Sequence, residues 1–302
     1  MIAGIETGGT KVICAVAEAP DPGTILAETR IDTTSPEQTL AAIRDFLAPR
    51  AVDGRFDAVG VASFGPVDVD PDSADFGTIS STPKQGWRGT ELLAGLHLAA
   101  GTPVRLVSDV TGAALGEHRF GAGRGVSDLA YVTVGTGVGA GLVVDGAPFT
   151  QRAHPELGHL LVRRHPQDSF GGVCPFHGDC LEGLASGPAI EARWGRPGTD
   201  PGPRQRESVQ LTSYYLAQLL ATISYTTAPQ RIVAGGGVMK TPGLLEAVRE
   251  QLALLVGGAL ADHPLTDPAS GYVVRPELGD GSGVRGALSL ASDALPPAPA
   301  LG

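Results

Sequence analysis

The hydrophobic and polar positions of the chain predict one order of elements that occurs twice. In the first half, apolar segments separated by turn residues predict three strands, at residues 2–6, 11–18 and 25–32. A helix is predicted over residues 35–50, because Ser35 can cap its first turn and Pro36 suits the first helical position. The rest of this half alternates strand and helix, in the order FDAVGVASFG, GTELLAGLHLAAG, VRLVSD and TGAALGEHRFG.

The second half starts the same series again. LAYVTVGT and GAGLVVDG predict two strands around a glycine turn, and Asp145-Gly146 is typical of a hairpin that leads to a short third strand. Helices and strands then alternate: a helix over residues 181–194, the helix SVQLTSYYLAQLLATISYTTA, the strand RIVAGG, the helix TPGLLEAVREQLALLVG, the strand YVVRPE and the helix SGVRGALSLASDAL. This repeated order predicts two α/β domains with mixed sheets.

Glycine-rich runs stand at the ends of three predicted strands. The first, ETGGTK, differs from a P-loop because Thr10 precedes Lys11 and a strand rather than a helix follows. Its backbone N–H groups, with the hydroxyls of Thr7 and Thr10, can still approach an anion. GTGVG (135–139) offers the same chemistry, and AGGGV (234–238) offers bare backbone to a base and ribose. One such run alone favours a tight hairpin. Three runs, two of them in matching places, favour two half-sites that hold a nucleotide across a cleft.

Composition narrows the class of protein. The chain has 302 residues, of which 42% are hydrophobic, so it has enough apolar material for packed cores. The formal net charge of −10 argues against binding to a nucleic-acid backbone, which requires a basic face. The N-terminal residues are predicted as a strand rather than a secretory signal, and no apolar run approaches the ~20 residues of a membrane span. We therefore expect a cytoplasmic protein with no nucleic-acid and no membrane partner.

An acidic residue, Asp109, stands where the strand of VRLVSD gives way to a helix. Site residues commonly occupy this position in open α/β sheets. A carboxylate there can accept the proton of a substrate hydroxyl as that hydroxyl attacks a γ-phosphate. The same position suits a helix N-cap, which is a common role for aspartate. On this segment alone the two interpretations remain equal.

The chain contains three cysteines, and two of them, Cys174 and Cys180, flank His177 in GVCPFHGDC. In a reducing compartment such a cluster predicts a metal site more strongly than a disulfide, although two unrelated loop thiols remain the alternative. Zinc usually takes four ligands, and a closed set of cysteines and histidines is typical of a structural site. Cys14 lies in the second predicted strand and is expected to be a small buried hydrophobe.

Together these motifs resemble the ROK family of bacterial sugar kinases, open reading frames and repressors. GIETGGTK and GTGVGAGLV resemble its two phosphate loops, SDVTGAALGE its catalytic segment, and HPELGH with CPFHGDCLE its sugar and zinc segments. Within the family, GTISSTPKQGW and residues 162–195 resemble the ATP-dependent fructokinases. The resemblance implies an α/β, actin-like (ribonuclease H-like) ATPase fold, with two βββαβαβα domains and a cleft between them. It also implies ATP and Mg²⁺ as cofactors, phosphorylation of the 6-hydroxyl of a hexose, and a homodimer.

On this basis we expect a smaller domain over residues 1–110, joined by the C-terminal helix 282–294. A larger domain over residues 111–281 would contain the second phosphate loop, the sugar and zinc segments and the adenosine-side glycine run. Repressors of the family carry a helix-turn-helix before the phosphate loop. Because the loop here follows Met1 so closely, we expect no such segment.

The resemblance also implies the site residues, with Asp109 as the catalytic base. The expected sugar contacts are Ser108, Asp109, Glu156 and His159. The expected nucleotide contacts are Gly8, Gly9, Thr10, Lys11, Thr136, Gly137, Gly235, Gly236 and Gly237. The expected ligands of a structural Zn²⁺ are His159, Cys174, His177 and Cys180, with His154 and His165 as alternatives to His159. Zinc bound there would hold Glu156 and His159 in place for the sugar.

Two residues depart from the family pattern. Ser108 stands where the family usually has Asn, which changes one sugar hydrogen bond, and Glu6 stands where the phosphate loop usually begins with Asp. Two further residues are left outside the site. Lys84 has two equal interpretations, a ligand of sugar or phosphate or a solvated loop lysine, and Asp280 is expected to cap the last helix.

The function predicted from the sequence is an ATP-dependent hexose kinase, with fructose favoured. A mannose, glucose or N-acetylmannosamine kinase is the alternative within the family. A sugar-sensing protein without catalysis is the alternative from a different class, and the presence of Asp109 beside intact phosphate turns speaks against it.

Overall fold

The chain forms two compact α/β units. The computed structural model describes residues 1–82, 84–150, 155–197, 200 and 202–296. Unit 1 comprises Met1–Gly121, a short segment that starts at Ala147, and the C-terminal segment from Asp280. Unit 2 comprises Ala122–Gly146 and Pro155–Gly279. Over the described residues, no helix combines the length and apolar character needed to cross a bilayer.

The first ten elements all belong to unit 1. They are β1 (Ile2–Thr7), β2 (Lys11–Ala17), β3 (Ile25–Asp32), α1 (Pro36–Leu47), β4 (Ala58–Ser63), β5 (Thr78–Ile79), β6 (Thr90–Glu91), α2 (Leu92–Gly95), β7 (Val104–Ser108) and α3 (Asp109–Phe120). The main sheet has the order β3-β2-β1-β4-β7, in which β1, β4 and β7 are parallel and β2 is antiparallel to its neighbours. The three predicted strands and the Ser35-capped helix are confirmed.

The remaining elements begin after residue 121. They are β8 (Leu129–Val134), β9 (Val138–Val144), β10 (Ala147–Pro148), α4 (Leu181–Ala185), α5 (Gly187–Trp194), α6 (Gln205–Thr227), β11 (Arg231–Gly235), α7 (Leu244–Val256), β12 (Val273–Val274) and α8 (Ser282–Asp293). In unit 2, β9, β8, β11 and β12 are neighbours in that order, with β8, β11 and β12 parallel. The turn predicted at Asp145-Gly146 is present, with positive φ at both residues.

Two predicted helices differ from the structure. The helix predicted in GTELLAGLHLAAG is reduced to the four residues of α2, because Thr90 and Glu91 pair with β5 instead. The helix predicted over residues 181–194 is two helices, since Ser186 ends α4 and caps α5 by accepting the Ala189 N–H at 3.3 Å. The hydroxyl of Ser186 thus separates two helices where hydrophobic periodicity alone predicts a single helix.

The C-terminal helix α8 packs on the sheet of unit 1 through glycines. A Cβ atom at Gly60 of β4 would lie 1.8 Å from the Ala287 carbonyl oxygen, so only glycine fits there. Where α8 crosses α3, a Cβ at Gly286 would lie 1.8 Å from the Gly112 carbonyl and a Cβ at Gly116 would lie 2.0 Å from the Ser282 carbonyl. Because α3 packs so closely on α8, it lies in unit 1, whereas the sequence placed the domain boundary after residue 110.

Candidate functional site

In unit 1, the carboxyl ends of three parallel strands meet at one edge of the sheet. Thr7 pairs with Ser63 and Ser63 pairs with Ser108, so β1, β4 and β7 end at the same level. Ligands of open α/β sheets bind beyond this kind of edge. Thr7 is fully buried and its hydroxyl donates to Ser63 Oγ at 2.8 Å. The expectation that Thr7 approaches an anion is therefore wrong, because its hydroxyl joins two strand ends.

Asp109 is the first residue of α3 and not its N-cap. Ser108 is the cap, since its Oγ accepts the Thr111 N–H at 3.2 Å and donates to Thr111 Oγ1 at 2.8 Å. The Asp109 carboxylate accepts the Val110 N–H at 2.8 Å and is half-buried. The capping role is thus filled by another residue. Ser108, expected to bind sugar, is 2% exposed with its hydroxyl engaged inside the fold.

Glu6, one residue before the end of β1, is a buried carboxyl group near Asp109. It packs against Gly283, where a Cβ would lie 2.3 Å from Glu6 Cδ, and it accepts the N–H of Val284 in the first turn of α8. Burial and, after it, the negative charge of Asp109 raise the pKa of Glu6 from 4.5 to about 7, although the positive charge of Lys11 opposes the rise. Sequence reasoning noted Glu6 only as a departure from the family. Its fold position makes it a group that exchanges a proton near neutral pH.

The first phosphate turn is closed by a backbone hydrogen bond and is followed by an ion pair. The Gly8 N–H donates to the Lys11 carbonyl at 2.9 Å, and Gly9 and Thr10 are exposed. Lys11 Nζ lies 2.5 Å from Asp280 Oδ2. The expectation that Asp280 caps the last helix is wrong, because Gly281 occupies the N-cap and no side chain bonds there.

The second turn, Gly135–Gly137, is held by a carboxylate and by a helix terminus. Glu182 Oε2 accepts the Val138 N–H at 3.0 Å, and a Cβ at Gly137 would lie 2.8 Å from the same oxygen. The Gly187 N–H, at the start of α5, donates to the Gly135 carbonyl at 2.7 Å. Thr136 between them is exposed. Sequence reasoning missed Glu182, although its place two residues after Cys180 was a usable signal.

The third glycine run lies beside this turn, at the same edge of the sheet. Gly235 ends β11 and pairs with Thr133 of β8, so the run follows the strand next to β8. Gly236 has a φ of +91°, and a Cβ there would lie 2.3 Å from the Val134 carbonyl oxygen. Only glycine fits this close approach of two backbones. Unit 2 therefore brings together the nucleotide residues predicted in its half: Thr136, Gly137, Gly235, Gly236 and Gly237.

A cluster of four side chains in unit 2 matches the predicted zinc ligands. The ligand atoms of His159, Cys174, His177 and Cys180 all lie within 4.8 Å of one another. His159 Nδ1 lies 3.6 Å from both cysteine sulfurs, and His177 Nδ1 lies 3.8 Å from Cys174 Sγ. Tetrahedral zinc separates a sulfur ligand from a nitrogen ligand by roughly 3.6 Å, given its usual bond lengths. The distances and the free thiols both fit that ion.

Of the two alternative ligands, His165 does not join this cluster. His165 packs edge-on against Tyr214, with ring centroids 5.0 Å apart, and its Nδ1 accepts the Gln167 N–H. His154 lies outside the described residues. Cys14 is fully buried in β2, as expected.

The cluster is packed onto the strand that follows the second turn. Cys174 and Gly178 exchange two backbone hydrogen bonds, at 2.9 and 3.1 Å, which close the loop that carries His177. His159 ends a short 3₁₀ helix, in which a Cβ at Gly158 would lie 2.0 Å from the Val138 carbonyl oxygen. Through His159, which contacts both cysteine sulfurs, the segment of residues 156–159 is joined to this loop. Glu156, exposed at the start of this segment, shares its support.

Comparison with known proteins identifies the family and the fold of the chain. The model of the ROK family matches residues 2–294. A fructokinase of Zymomonas mobilis is 41% identical and covers 95% of this chain and 95% of the relative. A fructokinase of Pediococcus pentosaceus is 38% identical over 98% of this chain and 99% of the relative. The crystal structure of the ROK hexokinase from Thermus thermophilus superposes with a TM-score of 0.76, at 28% identity, over 96% of this chain and 97% of that one. The expected actin-like α/β fold is confirmed.

Proposed function

Because the chain belongs to the ROK family of sugar kinases, we propose that it transfers the γ-phosphoryl group of ATP to the 6-hydroxyl of D-fructose. The observation that carries the reaction type is the position of Asp109. Its carboxylate opens a helix at the carboxyl edge of parallel strands, where it is half-buried and is not used as a helix cap. The choice of fructose rests on the relatives, which are fructokinases at 38% and 41% identity.

In this proposal Asp109 orients the sugar hydroxyl and accepts its proton as the bond to phosphorus forms. Phosphoryl transfer requires little more of a base than orientation and late proton acceptance. The sugar contacts we propose are Asp109, Glu156 and His159. His159 turns Nδ1 toward the two sulfurs, which leaves Nε2 on the opposite edge of the ring for a hydroxyl. We assign Ser108 a weaker part, because its hydroxyl already bonds to Thr111.

The nucleotide contacts we propose are the two turns and the glycine run, with Lys11 as the cation. Mg²⁺ would be held by carboxylates of unit 1 and would neutralise charge on the transferred phosphoryl group. Glu6 fits this role, because its Oε2 is buried without a hydrogen-bond partner among the described residues. Zn²⁺ would be held by His159, Cys174, His177 and Cys180. That set leaves no open position, so the ion would be structural.

A coupled assay of ADP release over fructose, mannose, glucose and N-acetylmannosamine tests the proposal. We expect the highest kcat/KM with fructose. A higher value with another of these sugars would make the protein the corresponding kinase. Sugar binding without ADP release from any of them would make it a sensor. Light scattering on the purified protein would test the homodimer that we propose from the family resemblance.

A further inference from the structure

Lysine is rare in this chain and its placement is selective. Of the 22 lysine and arginine residues, only Lys11, Lys84 and Lys240 are lysines. Lys11 follows the first phosphate turn, and Lys240 ends the short 3₁₀ helix that follows the glycine run. A lysine ammonium is a compact point charge, whereas guanidinium is a broad planar fork. Two of the three lysines thus adjoin predicted nucleotide elements, and the third, Lys84, has no function assigned so far.

Lys84 is connected to the first phosphate turn through one residue. Its Nζ donates to the Thr33 carbonyl at 3.0 Å. Thr33 in turn holds both ends of the turn, because its N–H donates to the Thr10 carbonyl at 3.0 Å and its hydroxyl donates to the Gly8 carbonyl at 2.7 Å. In a trans peptide the C=O and N–H point in opposite directions. A Gly8 carbonyl directed at Thr33 therefore directs the Gly9 N–H away from Thr33, to the other side of the turn.

The loop that carries Lys84 is anchored in the core of unit 1. Trp87 is fully buried, its Nε1 donates to the Thr34 carbonyl at 2.9 Å, and its ring lies edge-on to Phe64 with centroids 5.3 Å apart. Two successive carbonyls, those of Thr33 and Thr34, thus accept donors from the same loop. Lys84 itself is half-buried. This geometry favours a held lysine over a solvated one.

We propose that Lys84 is a positioning residue for the first phosphate turn. By holding the Thr33 carbonyl, it fixes the strand end that orients the peptides of Gly8 and Thr10, and it adds a positive charge behind the turn. The inference rests on the proposed use of ATP. It gives Lys84 a role in nucleotide binding without requiring it to touch the sugar.

The test compares Lys84→Met with Arg88→Met. Arg88 is exposed in the same loop, so its replacement removes an equal charge without removing the bond to Thr33. We expect Lys84→Met to weaken binding of Mg·ADP about tenfold, since a hydrogen bond from a charged donor typically contributes this much or more. Hydrogen exchange of amides 8–11 should be faster in this variant. The affinity of Lys84→Met for fructose should match that of the wild type. Arg88→Met should match the wild type both in Mg·ADP binding and in exchange of amides 8–11.

A second variant separates positioning from folding. Thr33→Val keeps the shape of the side chain but removes the bond to the Gly8 carbonyl, so it should raise exchange of the same amides. The proposal is wrong if Lys84→Met binds Mg·ADP and exchanges like the wild type. It is also wrong if this variant loses fructose affinity alone, because Lys84 would then be a sugar ligand. Hydrogen exchange needs neither substrate nor turnover, so failure of the proposed kinase activity would be seen separately.

Discussion

The carboxyl edges of the two sheets share a strand plan but present different chemical groups. β2, β1, β4 and β7 in unit 1 have the same order as β9, β8, β11 and β12 in unit 2. In unit 1 this edge presents ionisable side chains, namely Glu6, Lys11 and Asp109. In unit 2 it presents glycine backbone, in the second turn and in the run at 235–237. The same strand order thus carries acid–base groups in unit 1. In unit 2 it carries glycines, whose backbone a ligand can approach closely.

The two turns are also supported in different ways. The first lies among opposite charges, with Lys11 paired to Asp280 and Thr33 bonded to both ends of the turn. The second rests on the Glu182 carboxylate and on the start of α5. A Cβ atom at Gly9 of the first turn meets open space, whereas one at Gly137 of the second turn meets a carboxylate. The predictions below test this difference.

The largest effect is expected at the acid–base edge. Asp109→Asn should lower kcat by about 10²–10⁴-fold, because the amide cannot accept the proton that a general base takes up. Affinity for ADP should be unchanged, since the nucleotide contacts we propose lie elsewhere. Steady-state kinetics and calorimetry measure the two quantities. If the variant kept more than about a tenth of the wild-type kcat, Asp109 would not be the general base. The proposed difference between an acid–base edge in unit 1 and a glycine edge in unit 2 would then fail.

The next effect concerns the proposed zinc ligands in unit 2. Elemental analysis should find one zinc per chain in the wild type and none in Cys180→Ser, because the closed ligand set loses a thiolate. The KM for sugar should rise, since Glu156 and His159 lose their support. Cys14→Ser is the matched control, because it removes a thiol outside the cluster and should keep its zinc. Zinc that survived Cys180→Ser would refute the assigned ligand set.

A smaller effect should distinguish the two turns directly. Gly9→Val and Gly137→Val should each raise the KM for ATP more than that for sugar, because a branched side chain occupies space that phosphate would use. Only Gly137→Val should also lower stability, by about 1–3 kcal/mol, because its Cβ would lie 2.8 Å from Glu182 Oε2. A Cβ at Gly9 meets no atom within 4 Å. Equal losses of stability in the two variants would show that the turns are supported alike.

The smallest expected effect is a pH dependence of stability in unit 1. The pKa of Glu6 is about 7 in the folded chain and 4.5 ordinarily, so the folded state holds the proton between these values while the unfolded state releases it. Stability should therefore fall as the pH rises through this window. Glu6→Gln stays neutral and should be less sensitive, with a higher Tm than wild type at pH 8 and a similar Tm near pH 4.5. Thermal melts without Mg²⁺ measure this, and parallel curves for the two proteins would contradict it.

Local signals in the sequence were enough to predict the features that depend on residues close together in the chain. The Ser35 cap, the strands around the glycine turns and the spacing of Cys174, His177 and Cys180 are all short-range features. The break at Ser186 was also readable, because a capping residue and Pro188 stand together there.

Groups that meet only through tertiary structure gave no such signal. Lys11 and Asp280 are 269 positions apart, and nothing local connects Lys84 to Thr33 across 51 positions. His159 was identified only through the family resemblance, since 15 positions separate it from Cys174. The burial that raises the pKa of Glu6 likewise depends on α8, which lies far along the chain.

The packing of α8 against Gly60, Gly112 and Gly116 has a consequence for synthesis on the ribosome. Val284 and Leu288 complete an apolar cluster that includes Ile2, so the nascent chain exposes this face of the first sheet until α8 has been made. Domains usually fold in the order in which they emerge. Unit 1 can complete this cluster only after α8 has left the exit tunnel, so its apolar face stays exposed while the chain of unit 2 is synthesised.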